Sequence, residues 1–397
     1  MRSLLPCLVL STLVACSSGP VDKPSRRTLA NGAVEVNHSS LANTPGLQLS
    51  EELRIGVAGS GSDSADDPFI FGDIRDLEVG LDGTIYVLDY QAAQIRMFDS
   101  TGEFIGLLAD KGEGPGELGR TNGIRLDSDG FLWVNDHGNR RVTLFDSEGA
   151  IVREMPWRAR GYGYSWRGMG HGGRYWYFSS GELDPAEFDK RGVVESTSET
   201  YLTSLGETEE EDVSVYLGSN TGSYLRFPRG TTGIPFSGGG GSYLDPGGHV
   251  WMAASAEYKL VRMDLEADTT LMITASVDPA PVSDSERTMA IENYESMMER
   301  MGQLDIDWSI IPSHKPMIGG ITGTAEGGVW VRRDTDTGPV FDIFAGDGTY
   351  GGTADAGALG AFSGVEPVIR GDRIWGKAMD RDGTPVVIRA RLMPADR

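Results

Sequence analysis

Residues 123–155 read GIRLDSDGFLWVNDHGNRRVTLFDSEGAIVREM. Gly123-Ile124-Arg125-Leu126 alternates as an inner strand, and Asp127-Ser128-Asp129-Gly130 supplies a tight turn. Phe131 to Asn135, Arg141 to Phe145 and Ile151 to Met155 give three further strands. The unit is a four-stranded antiparallel meander, which alone leaves both faces open to water. Its sequence therefore predicts further copies.

Six copies are present. A turn containing Gly or Asp precedes an aromatic residue at nearly fixed distance: Asp82-Gly83 then Tyr86, Asp129-Gly130 then Trp133, and Gly172-Gly173 then Trp176. The series continues as Gly247-Gly248 then Trp251, Gly327-Gly328 then Trp330, and Gly371-Asp372 then Trp375. A second mark follows: Phe98, Phe145, Phe188 and Met263 fall 12 residues after their aromatic, and Phe344 falls 14 after Trp330. Four residues later stand Gly102, Gly149, Gly192, Ala267 and Gly348. Meanders of about 45 residues in this number predict an all-β, six-bladed β-propeller of four-stranded antiparallel blades. The repeated Trp or Tyr is then the large apolar body between blades.

The blades are expected near 74–109, 122–157, 164–205, 240–278, 317–352 and 365–397. The last has only three strands, Pro367 to Arg370, Arg373 to Met379 and Val386 to Leu392. Its fourth is expected from Leu47 to Val57, which closes the ring and removes the open seam.

Several segments carry a resemblance to the NHL-like six-bladed propeller lipoproteins of bacteria, close in architecture to TolB-like propellers. They are Glu52-Leu53-Arg54-Ile55-Gly56, Gly112-Glu113-Gly114-Pro115-Gly116-Glu117-Leu118, His314-Lys315-Pro316 and Val329-Trp330-Val331-Arg332-Arg333. The resemblance covers roughly residues 47 to 397. It implies the propeller fold and leaves the activity open.

The N-terminus reads as processing information. Arg2 gives a short positive region, Leu4 to Leu13 an apolar run too short to span a bilayer, and Leu13-Val14-Ala15-Cys16 follows. The last four residues resemble the lipobox of bacterial lipoproteins, which implies cleavage after residue 15 and acylation of Cys16. Ser17 in place of Asp implies outer-membrane sorting. Residues 16–45, rich in Ser, Pro, Asn and Gly, are expected to be a flexible tether, and residues 46–397 the propeller. Cys7 and Cys16 are the only cysteines, so the folded body holds no disulfide. With a net charge of −23, the chain lacks the basic stripe that nucleic acid requires and the polybasic patch that anionic membranes attract. The lipid is then its only membrane contact.

Strand order places the working surface. The turns from first to second and from third to fourth strand lie on one face, and the longer connections lie on the other. Three connections stand out there: 109–121, 206–236 and 278–316. The last predicts a helix from Ser283 with Glu286 completing a capping box, and an apolar stripe at Ala290, Tyr294, Met297, Met298 and Met301. It would cover a blade edge or act as a lid.

On the same face, second-strand ends carry Asp89, Asp136 with His137, Glu182, Glu257, and Asp334 with Asp336. They are the candidate ligand residues. Arranged around a ring they form an acidic mouth for a hard cation or polyhydroxylated ligand; otherwise they cap loops. No cofactor motif is present, and a divalent cation is the one such group this pattern admits.

The five histidines show no short metal spacing, neither Gly112 to Gly116 nor Gly238 to Gly241 opens a helix as a phosphate loop does, and no Gly-x-Ser-x-Gly elbow occurs. The leading expectation is therefore an envelope-anchored, monomeric scaffold that binds a protein or small-molecule ligand. The alternatives are a metal-dependent lactonase, lyase or hydrolase with its site at the central mouth, and a purely structural envelope component.

Overall fold

The computed structural model describes residues 23–57, 67–158, 169–181, 189–238, 240–245, 247–355 and 365–395. Strands β1 (Ser25–Thr28), β2 (Val34–His38) and β3 (Leu47–Ile55) precede the first blade. Blade 1 is β4 (Ile74–Val79), β5 (Ile85–Asp89), β6 (Gln94–Phe98) and β7 (Phe104–Ala109). Blade 2 is β8 (Thr121–Leu126), β9 (Leu132–Asp136), β10 (Arg141–Phe145) and β11 (Ile151–Pro156). Blade 3 has five strands: β12 (Met169–His171), β13 (Arg174–Ser180), β14 (Gly192–Leu205), β15 (Val213–Phe227) and β16 (Gly230–Gly233).

Blade 4 is β17 (Gly240–Leu244), β18 (Val250–Ala254), β19 (Lys259–Met263) and β20 (Thr269–Ala275). After helix α1 (Asp284–Met301) comes blade 5, β21 (Gly320–Gly323), β22 (Val329–Thr335), β23 (Gly338–Phe344) and β24 (Tyr350–Asp355). Blade 6 is β25 (Val368–Arg370), β26 (Arg373–Met379) and β27 (Pro385–Pro394), completed by β3. The chain is a six-bladed β-propeller. Its first strands touch one another from blade to blade, β17 to β21, β21 to β25, β25 to β4, β4 to β8 and β8 to β12.

The six repeated aromatics stand on the second strand of each blade, and all are buried; Trp251 and Trp133 are 0% and 1% exposed. Burying a Trp removes about 150–250 Å² from water, an upper bound of about 4–6 kcal/mol each. Register explains the second mark. Phe98 pairs with Ile85, Phe145 with Leu132, Met263 with Val250 and Phe344 with Val329, so each sits opposite the residue before the aromatic.

Blade 3 departs from the expected repeat. Leu205 lies opposite Tyr175, and Gly192 opens the third strand rather than its following turn. Phe188 lies outside the described residues. The repeated mark at Phe188 and Gly192 is therefore a sequence coincidence, and Leu205 holds the structural position. The 206–236 excursion is likewise not a loop. Its body is β15, which pairs with β14, and β16, which pairs with β15, in an arm that runs past the end of β13.

Ring closure follows the expected plan. β3 runs antiparallel to β27, from Leu47 opposite Pro394 to Ile55 opposite Val387. The expected tether at 16–45 is not all tether. β1 and β2 form a hairpin, and β2 adds parallel to β20, with Val34 opposite Leu271 and His38 opposite Ala275. Val34, Val36 and His38 alternate, Val36 is fully buried, and the hairpin covers the outer edge of blade 4.

Helix α1 starts as its capping box dictates: the Ser283 hydroxyl accepts from the Glu286 amide, and the Glu286 carboxylate accepts from the Ser283 amide. Its stripe faces the arm of blade 3. Met298 packs with Leu225, Phe227 and Ile234, flanked by Tyr294 and Met301. Tyr294 donates to the Gly233 carbonyl at 2.6 Å. The helix is structural cover for the arm.

Candidate functional site

Among the described residues, the side chains expected to form an acidic mouth do not converge. Asp89 is fully buried, and its carboxylate accepts from the amides of Gly72, Asp73, Gln91 and Ala92. Asp136 does the same in blade 2, accepting from Gly119 at 2.9 Å and Asn139 at 3.3 Å. Both are loop caps, held by the turn chemistry that favours Asp at such strand ends. Glu257 is exposed between β18 and β19, Asp334 is half-buried opposite Pro339 in the blade 5 hairpin, and Asp336 is exposed at its tip. Glu182 lies outside the described residues. Among the described residues no three His, Cys, Asp or Glu side chains converge in a group that could hold a metal.

Two other sites emerge. The first is on the ring axis. Arg125 of β8 donates to both oxygens of Asp76 on β4, at 3.0 and 3.2 Å, and to Glu78 at 3.4 Å. Its other nitrogen reaches Glu366, just before β25, at 2.8 Å. Glu78, Arg125 and Tyr243 are each penultimate in their strands, so the cluster lies at the short-turn end of the ring, opposite the long connections. They share, with Glu366 and Arg370, the wall of a cavity of about 30 Å³, room for a water molecule or two.

Burial pushes the Glu78 carboxyl up to about 7, partly offset by Arg125 and reinforced by Asp76. Burial also raises Asp76 against the pull of Arg125, and raises the Tyr243 phenol, with Glu366 adding to it. For Arg125, burial is outweighed by Asp76 and Glu366, which hold it charged. One guanidinium thus clasps blades 1, 2 and 6 together. Arg125 was legible as an inner-strand residue, and a charge on an innermost strand is a signal for such a cluster. Its partners are not local, so spacing could not name them.

The second site is on the long-connection face, where blade 2 begins and its second strand ends. A depression of about 690 Å³ is lined by residues 111–113, 118–120 and 137–140, including His137. Its walls are set by internal bonds. Asn139 donates to the carbonyls of Gly112 at 2.9 Å and Glu117 at 3.3 Å. Arg141 donates to the carbonyls of Gly114 and Glu117, and Glu117 itself accepts from the Gly114 amide at 2.8 Å. Of the seven candidates, His137 is the only described one that lines this depression; Asp136 stands behind it as the cap.

Comparison with known proteins bears on the fold. Residues 65–205 match a family described as a 6-bladed beta-propeller. No curated protein matches the sequence. A member of the duf4221 family from Bacteroides vulgatus is similar in structure, with TM-score 0.50, 10% identity, and coverage of 88% of this chain and 99% of that one. Virginiamycin B lyase from Staphylococcus aureus is also similar, with TM-score 0.37, 11% identity, and coverage of 88% and 89%. A gluconolactonase from Xanthomonas campestris has TM-score 0.38, 11% identity, and coverage of 88% and 99%. These neighbours include enzymes. At such identities, what they share with this chain is the propeller.

Proposed function

We propose that this chain is an envelope lipoprotein of NHL-like or TolB-like type, anchored through Cys16, whose monomeric propeller is a binding scaffold that presents its long-connection face. One observation carries the reading: on that face Asp89 and Asp136 are buried as loop caps, and beside Asp136 lies a preformed, internally bonded depression. A rigid scaffold with its irregular loops on one side is suited to recognition. The lipobox-like Leu13-Val14-Ala15-Cys16 supports the anchor, and the segments around Glu52, Gly112, His314 and Val329 support the lipoprotein type.

Photo-crosslinking in the native envelope tests the reading. A photoreactive residue in place of Asn139 should give discrete adducts, whereas one in place of Asp82, in a short turn of the opposite face, should not. Equal labelling from both faces, or none from Asn139, would sink it. In the same cells Cys16→Ser should release the protein from the membrane fraction; retention in that fraction would refute the lipid anchor.

A further inference from the structure

We infer that the depression beside His137 is a binding site for an oxyanion, a phosphate or carboxylate carried by a soluble ligand. This deepens the scaffold reading, which supplies only the face. The chain carries a net charge of −23, yet the walls of this depression hold Lys111, Arg120 and Arg140 against one carboxylate, Glu113. Among the described residues these three cations have no carboxylate partner. The bonds that shape the loops come from Asp136, Asn139, Arg141 and Glu117 instead.

Blade 1 shows that the frame does not need the cations. Its cap is the same structure displaced by 47 residues, with Asp89 and Gly72 corresponding to Asp136 and Gly119. Ala93 at φ 55° corresponds to Arg140 at φ 56°. At the place of Arg120 blade 1 has Asp73, and at the place of His137 it has Tyr90. The same turns therefore form with no cation at either arginine position. Arg140, moreover, occupies a left-handed conformation that disfavours a side chain by about 1–2 kcal/mol. In blade 2 a fixed backbone frame carries three cations with no carboxylate partner among the described residues, and an imidazole, around one concavity within the usual 300–1,000 Å³ of a ligand pocket. Guanidinium groups bind oxyanions through paired N–H donors, and the ammonium of Lys111 adds a point charge.

The soluble body from residue 23 onward would be titrated at pH 7 with inorganic phosphate, with citrate and with glucose, following the histidine ring ¹³C–¹H resonances. His137 is assigned by its loss in His137→Gln. The expected result is a saturable shift of the His137 resonance with phosphate or citrate but not glucose, the other histidines staying still. The anion giving the stronger response identifies the class. Arg140→Gly removes a cation while relieving the left-handed backbone, so it cannot fail through misfolding at that site. It and Arg120→Gln should each weaken binding about tenfold. No saturable shift with either anion, or unchanged affinity in the Arg120→Gln/Arg140→Gly double variant, overturns the inference. Adducts from Asn139 in the envelope would then still support a scaffold with a different ligand; anion binding without adducts would retain the site and reject the scaffold.

Discussion

Arg333 and Asp342 form a two-point pair inside blade 5, Nε donating to Oδ2 at 2.7 Å and Nη2 to Oδ1 at 3.0 Å. Both residues are buried, and the pair is shared outward. Asp342 accepts from Tyr258 of blade 4 at 2.9 Å and from Thr353 at 2.7 Å. Arg333 reaches the Ala42 carbonyl at 2.9 Å and the Asn43 side chain at 3.1 Å. One carboxylate thus ties two blades, and its arginine fastens the segment joining the N-terminal hairpin to the closing strand.

Removing that carboxylate leaves a buried guanidinium without its countercharge. Asp342→Ala is expected to lower unfolding stability by about 3–5 kcal/mol. Tyr258→Phe, which removes one hydrogen bond to a charged group, should cost about 1.5–3 kcal/mol. Denaturant unfolding of the soluble body measures both. An Asp342→Ala cost below that of Tyr258→Phe would mean that the pair does not hold the blades.

The axial clasp makes stability depend on pH. Glu78 has its folded value raised to about 7 by burial, above its ordinary value of 4.5. Between these values the unfolded state is ionised while the folded state keeps its proton, so the unfolded state binds fewer protons. Stability from this group is therefore complete below about pH 4.5 and falls as pH rises toward 7, by at most about 1.4 kcal/mol per unit. Glu78→Gln cannot ionise, and its stability relative to the parent should improve from pH 5 to about pH 7 and level off by pH 8. A difference that stays flat over that range would show that Glu78 is ionised in the folded protein.

The N-terminal hairpin docks through Val36, which is fully buried against Leu271, Ile273 and Phe344 of blades 4 and 5. Val36→Asp places an unpaired charge in that cluster, and undocking the hairpin is less costly than burying the charge. Amide exchange at residues 34–38 should accelerate by at least about a hundredfold, with β17 to β19 protected as before. Unchanged exchange in the hairpin would disprove its docking by this contact.

The sequence alone determined what rests on local chemistry. Turns such as Asp127 to Gly130 need Gly or Asp wherever they occur, and Trp133 or Trp251 must find an apolar partner face in every copy. Six copies with three strands left at the C-terminus fixed the ring and its closure by β3. The capping box of α1 was equally local. Tertiary structure decided the rest. Leu205 took the place expected of Phe188 because the third strand of blade 3 starts after a long connection, and register depends on the neighbouring strand rather than on spacing. Residues 25–38 joined blade 4 because an open edge was available there.

The candidate site divides in the same way. That Asp89 and Asp136 end strands was plain, but whether each faces a ligand or caps a loop depends on amides 17 residues upstream, at Gly72 and Gly119. Arg125 meets Glu366 across 241 residues of sequence, and only ring closure brings them together. Charge in a chain is additive and can be counted from composition. Which cations are left without a partner is a property of packing, so a depression holding Lys111, Arg120 and Arg140 stayed hidden beneath a net charge of −23.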